Sequence, residues 1–224
     1  MNIRIGLCML LVSALASGCL HYEEEIALEP DGSGTVLFHY WVNETSYELL
    51  KDDPQLPFTE ERAADRMESE HVKLGEFLSS QIGEDIHFNV SFSFDDVRQL
   101  GQTGLFESEP VKLEKDPNGL WAFERTIKGS SEPSRLKGMP NDRALKEYWS
   151  GYEMKFIVHF PGLVLEANTK KIKQDTATWI IPLTALTEGK QKMRATYQVR
   201  EPRQRKTPGL KTALRMGTER ALVF

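Results

Sequence analysis

Cysteine is almost missing from this chain of 224 residues. It has two, Cys8 and Cys19, both near the start. So few cysteines exclude a disulfide framework, and none is left in the body of the chain to join a zinc site. Long apolar runs are missing as well. After Ala16 no stretch approaches the roughly 20 apolar residues that a membrane-spanning helix needs. The short motifs of common catalytic machinery are also absent. There is no Gly-x-Ser-x-Gly elbow, no Walker-type or dinucleotide glycine loop and no His-Glu-x-x-His pair. Gly32-Ser33-Gly34 has the glycines but sits between two apolar stretches, not ahead of a helix, which argues against phosphate binding. The acidic runs Glu23-Glu24-Glu25, Asp52-Asp53, Glu60-Glu61 and Asp95-Asp96 lack the spaced oxygens of a calcium loop. They read as solvated faces or helix caps. Nothing points to the paired carboxylates of a glycosidase. The expectation is therefore no catalytic residue, no metal and no cofactor.

What is present begins at the N-terminus. Met1-Asn2-Ile3-Arg4 carries one positive charge, an apolar run extends from Ile5 to Ala16, and Ser17-Gly18-Cys19 follows. These are the parts of a secretory signal. The small residues can lie extended in a peptidase groove, and the next thiol can carry a thioether-linked diacylglycerol. The segment resembles the lipobox of bacterial lipoproteins, although Ala16 stands where Leu is commoner. The alternative is an ordinary signal peptide cut nearby. Lipidation at Cys19 would make the N-terminus a membrane anchor, because two or more acyl chains hold where one is marginal. It would also occupy the last thiol of the mature chain. Leu20 follows, not Asp, which by analogy with enteric sorting leans toward the outer membrane, facing the periplasm. Export conflicts with nucleic-acid binding.

The body reads as a succession of strands and caps. Ile26-Ala27-Leu28 and Val36 to Val42 flank Asp31-Gly32-Ser33-Gly34, whose glycines suit a tight reversal. In the second strand Val36, Phe38, Tyr40 and Val42 share one face, and Leu37, His39 and Trp41 share the other. Asn43 can cap a short helix through Leu50. Thr59 opens a longer one, with Glu60 and Glu61 favourably placed for the helix dipole. Ala63, Met67, Leu74, Leu78 and Ile82 fall near helical spacing, which predicts a long amphipathic helix. Ile86, Phe88, Val90, Phe92 and Phe94 then alternate as a strand, and Asp95-Asp96 starts a short turn or helix through Leu100. A hairpin runs from Val111 to Ile127 about Asp116-Pro117-Asn118-Gly119, with Trp121, Phe123, Arg125 and Ile127 on one face. Residues 129–138 read as a loop, and Asn141 or Asp142 caps a short helix ending near Gly151. Met154, Phe156, Val158 and Phe160 alternate, Pro161-Gly162 makes a tight turn into Leu163-Val164-Leu165, and two further strands carry Ala177 to Leu183 and Met193 to Val199. This order predicts an α+β fold: an antiparallel β-sheet of several hairpins with one long amphipathic helix packed on one face. The chain divides into a signal peptide at 1–18, an α+β domain at 19–200 and a basic tail at 201–224.

Phe160-Pro161-Gly162-Leu163-Val164, Asn168, Thr176-Ala177-Thr178-Trp179 and the Asp31-Gly32-Ser33-Gly34 turn together resemble segments of the LppM-like envelope lipoproteins. The likeness spreads over roughly residues 20 to 200. It implies an α+β domain displayed at the cell envelope, one that can bind lipid or glycolipid, and it implies no catalysis.

Three features remain as candidates for function. His39, His87 and His159 each lie on the more polar face of a strand and would cluster if those strands were neighbours. Trp121 and Trp179 belong to core faces, whereas Trp41 shares the opposite face with Leu37 and could line a cavity or meet a partner. The net charge of −5 hides a basic tail, where seven Arg and Lys from Arg200 onward oppose only Glu201 and Glu219. That tail is either disordered or a short basic amphipathic helix over Thr212–Val223 that meets anionic headgroups or a wall polymer. Three functions fit: a non-enzymatic lipoprotein whose domain binds a lipid, wall component or envelope protein; a lipid-anchored hydrolase; or a structural subunit of an envelope complex. The first is expected.

Overall fold

The computed structural model describes residues 21–53, 56–102, 109–128, 152–185 and 189–199. Their architecture is two β-sheets packed face to face, with short helices filling the rest. The first hairpin is β1 (His21–Leu28) and β2 (Gly34–Asn43). Asp31 forms its turn by accepting from the Ser33 backbone N–H and hydroxyl at 3.0 and 2.6 Å, and Gly32 takes φ +92°. Gly34 is required for packing, because a Cβ there would lie 2.0 Å from the Ala27 carbonyl oxygen. Asn43 caps α1 (Glu44–Leu50) by accepting from Ser46 N–H, and Thr59 caps α2 (Glu60–Met67) by accepting from Arg62 N–H.

The helix ends there. Residues predicted to continue it form β3 (Val72–Ile82), which pairs along β4 (Asp85–Phe94). The expected long helix packed on a sheet is therefore wrong, and the fold is mostly β. The physical reason is an ambiguity of spacing. Leu74, Leu78 and Ile82 lie four apart, which satisfies both a 3.6-residue and a two-residue period. A bulge between Leu74 and Glu76 then places Leu74 against the core, while Leu78 and Ile82 face outward, 51% and 62% exposed.

A 3-10 helix (Val97–Gln102) leads toward the second hairpin, β5 (Lys112–Lys115) and β6 (Trp121–Ile127). After it come β7 (Glu153–His159), β8 (Gly162–Ala167), β9 (Lys171–Lys173), β10 (Thr176–Pro182) and β11 (Gln191–Val199). The larger sheet has seven strands in the order β3-β4-β2-β1-β7-β10-β9, and the smaller has four in the order β5-β6-β11-β8. The larger sheet departs from the antiparallel sheet expected from the sequence, because β1 and β7 pair in parallel. Phe160-Pro161-Gly162 is likewise no hairpin turn. There the chain leaves the large sheet for the small one, and β8 pairs with β11. Gly162 permits the crossing: a Cβ would lie 1.9 Å from the Gln198 carbonyl oxygen.

One core fills the space between the sheets. Phe38, Phe88, Phe92 and Phe156 from the large sheet are essentially inaccessible, as are Phe123, Met193 and Tyr197 from the small one. The helices cover the β2–β4 end, where Phe58 stacks on Phe88, Tyr47 packs tilted against both, and the Tyr40 hydroxyl donates to the Pro57 carbonyl. Asn168 closes the corner between sheets, accepting from Trp179 Nε1 at 2.8 Å and Arg194 N–H at 2.7 Å. Trp179 is in the core as expected, Trp121 is partly buried, and Trp149 lies outside the described residues.

Candidate functional site

Alternation puts every second side chain of the large sheet on its outer face, and there none is buried. The register decides which meet. His21 on β1 stands opposite Trp41 on β2, and Trp41 opposite His87 on β4. The three rings stack in a row: His21 to Trp41 at 4.5 Å and 3°, Trp41 to His87 at 5.4 Å and 14°. These spacings match the distance between neighbouring strands, so the rings stand side by side with their edges toward solvent. Tyr152 meets His21 edge-on at 6.4 Å.

His39 joins the row from two residues away. Its ring lies 4.8 Å from Trp41, and its Nε2 is 3.2 Å from His87 Nδ1. One nitrogen must donate and the other accept, so this contact holds only while at least one ring is neutral. Burial, and then the charge of His87, lower the pKa of His39, against an opposing pull from Glu23. β2 and β4 are neighbours, so His39 and His87 meet, but His159 is not part of the cluster. His39 is opposite Glu23 on β1, whereas His159 is opposite Ala27. That offset of four residues is about 13 Å along the strand. Among the described residues no group of three or more His, Cys, Asp or Glu is placed to hold a metal ion.

His159 has its own partners. Its Nε2 lies 2.6 Å from Glu25 Oε1 and its Nδ1 3.0 Å from Thr176 Oγ1, and the Thr176 hydroxyl can donate to Asp175 at 3.0 Å. A hydroxyl, imidazole and carboxylate in line suggest a nucleophile and base. Here, however, the single hydroxyl proton has Asp175 as a competing acceptor, and the imidazole and Glu25 carboxylate stand in the open, about 40% exposed. Lys155 Nζ donates to Glu23 at 2.9 Å on the same face.

The inner face of β1 holds what the sequence did not disclose. The glutamate run was expected to be solvated, but Glu24 is 2% exposed and pairs with Arg125 from β6, equally buried. The Tyr22 hydroxyl donates to the other Glu24 oxygen at 2.8 Å, and the guanidinium lies over Phe156. Arg125 Nε has no hydrogen-bond partner. Despite its desolvation, the neighbouring carboxylate keeps the Arg125 pKa above its ordinary value. The signal was present as parity, since Glu24 falls in step with Tyr22, Ile26 and Leu28, and Arg125 with Phe123 and Ile127.

On the outer face of the small sheet, Lys112, Lys192 and Arg194 surround Glu124 and hold its carboxyl down to about 2. Cys19 lies outside the described residues, two positions before β1, and so do the tail from Arg200 and residues 129–151. No helix among the described residues is long and apolar enough to cross a membrane.

No family model and no curated protein sequence matches this chain. Among solved structures, the folded domain of Mycobacterium tuberculosis LppM, determined by NMR, is similar with a TM-score of 0.44 and 15% identity, over 82% of this chain and 91% of that one.

Proposed function

We propose that this protein is an envelope lipoprotein, attached to a membrane through lipid on Cys19 after removal of residues 1–18. Its domain is a non-catalytic binding module for the polar part of a lipid or glycolipid. The observation that carries this reading is the open face of the seven-stranded sheet. Trp41 is held there between His21 and His87, with His39, Glu23 and Lys155 beside it, and no described element packs over them. Ring edges, imidazole nitrogens, a carboxylate and an ammonium within two rows of a sheet suit a ligand rich in hydroxyls or phosphates. The face starts two residues after Cys19, so its ligand would be met at the membrane surface. Leu20 after the cysteine favours the outer membrane, on the periplasmic side.

Two measurements test this. Cells producing the Cys19→Ser variant are fractionated; the variant is expected in the soluble fraction and the parent in the membrane fraction, and equal membrane association removes the anchor. Lipids co-purifying with the parent and with Trp41→Ala are then compared after solubilisation. Loss of a specific lipid or glycolipid from the variant supports the open face as the site, and an unchanged lipid profile excludes it.

A further inference from the structure

The end of the large sheet around His21 carries the two most exposed large apolar side chains among the described residues. Among the described residues the three most exposed large hydrophobics are Ile82 at 62%, Leu49 at 56% and Leu78 at 51%. Ile82 and Leu49 belong to this end, and Leu78 lies at mid-sheet in the row of Asn89, His39 and Glu23. Ile82 closes β3 in the row shared with Asp85 and Asn43, and Leu49 is on α1, which follows Asn43 directly. Toward the opposite end, around the Glu29–Ser33 turn, the exposed large hydrophobics Leu37 and Ile172 are less open, at 38% and 40%. Exposed apolar side chains gathered at one end mark a contact surface.

We infer that this end of the domain docks on the lipid bilayer itself, with Ile82 and Leu49 at the headgroup boundary. The inference rests on the lipid anchor proposed above and deepens it. Leu20 alone separates Cys19 from His21, so their Cα atoms are at most about 7 Å apart. A headgroup layer is about 5–7 Å thick, and a diacylglyceryl cysteine sits at its inner edge. The His21 row is thereby held within or just above the headgroups, with no tether long enough to lift it away. The row of Asn43, Asp85 and Ile82 extends beyond His21 in the direction of the anchor by two residues, again about 7 Å. That is the depth of the headgroup layer. Trp41 and Tyr152 then stand where aromatic side chains with polar edges favour the interface. The charges select the lipid. Glu44, Glu48, Asp52, Glu84 and Asp85 oppose Lys51 and Arg62 at this end, Lys51 is already paired with Glu48, and the Arg62 guanidinium donates to the Lys51 carbonyl. Such a surface suits zwitterionic headgroups with exposed ammonium groups and is repelled by anionic ones.

The test uses the full-length lipidated chain in vesicles of phosphatidylcholine and phosphatidylethanolamine. With Cys8 removed and Cys19 acylated, an added cysteine is the single free thiol. Ile82→Cys, Leu49→Cys and Glu29→Cys are labelled with an environment-sensitive fluorophore. Docking predicts that iodide quenching falls by about threefold or more at 82 and 49 on anchoring and stays nearly constant at 29. Adding phosphatidylglycerol should restore part of the quenching. Equal quenching at all three positions in a chain that floats with the vesicles overturns the docking and leaves the anchor intact. A chain that does not float overturns both. Shielding at 82 without vesicles, growing with protein concentration, assigns the patch to a second copy of the chain and overturns the bilayer as its occupant.

Discussion

Strand β1 carries three consecutive glutamates, and its two faces put them to opposite uses. Glu24 points inward to Arg125, and both side chains are 2% exposed. Glu23 and Glu25 point outward to Lys155 and His159, where the partners are 29% to 42% exposed. The chemistry of the three pairs is similar, but the surrounding dielectric is not. An inward charge that loses its partner is stranded in a medium that cannot solvate it, whereas an outward one falls back on water. The inner face therefore fixes how the two sheets meet. The outer face can exchange partners at little cost.

Removing one inward partner should produce the largest effect. Arg125→Met leaves Glu24 buried and unpaired, with an expected loss of about 3–5 kcal/mol in denaturant unfolding. Replacing both, as Glu24→Leu with Arg125→Met, should recover most of that loss. If the double variant is as unstable as the single one, the pair matters for its shape and not for its charge. The pH dependence is smaller and belongs to the open face. The pKa of His39 in the folded state lies below its ordinary value of 6.5. The unfolded chain thus binds more protons below about pH 6.5, and stability falls as pH drops through that value toward the folded pKa. His39→Asn should flatten this slope in urea midpoints measured from pH 7.5 to 5. His71, whose pKa is raised by Asp95, contributes in the opposite sense and remains in both proteins. The smallest effect is Lys155→Ala, expected to cost between 0 and about 1 kcal/mol and to vanish in high salt. A larger loss there would mean that the two faces of β1 are less different than their exposure indicates.

Local chemistry was readable in the sequence, and long-range pairing was not. Asn43 and Thr59 cap the helices that their side chains announce. Asp116 makes its turn by accepting from Asn118 and Leu120 N–H, with Gly119 at φ +86°. The alternating faces of β2, β4, β7 and β10 also match their burial. The failures are at points where two periods coincide or where sheet partners are remote. Leu74, Leu78 and Ile82 fit a helix and a strand equally, and Gly75 with Ser69-Glu70-His71 was the overlooked break. Nothing near β8 indicates that it joins the small sheet. Half of the candidate site followed from the faces: His39, His87 and Trp41 were placed on the open side. Their stacking with His21, and the exclusion of His159, depend on register between strands as remote as Ala27 and His159, which no local pattern encodes.

The parallel pairing of β1 with β7 has a consequence for synthesis. β1 is made well before β7, and one of its edges receives no partner until Met154 to His159 have been made. Over that interval β1 and β2 can close their hairpin with β4, but a row of unpaired peptide groups remains open in the middle of the future sheet. Such an edge invites pairing with other chains. This protein should therefore depend on a holding chaperone until its second half arrives, and versions truncated before β7 should aggregate instead of folding in part.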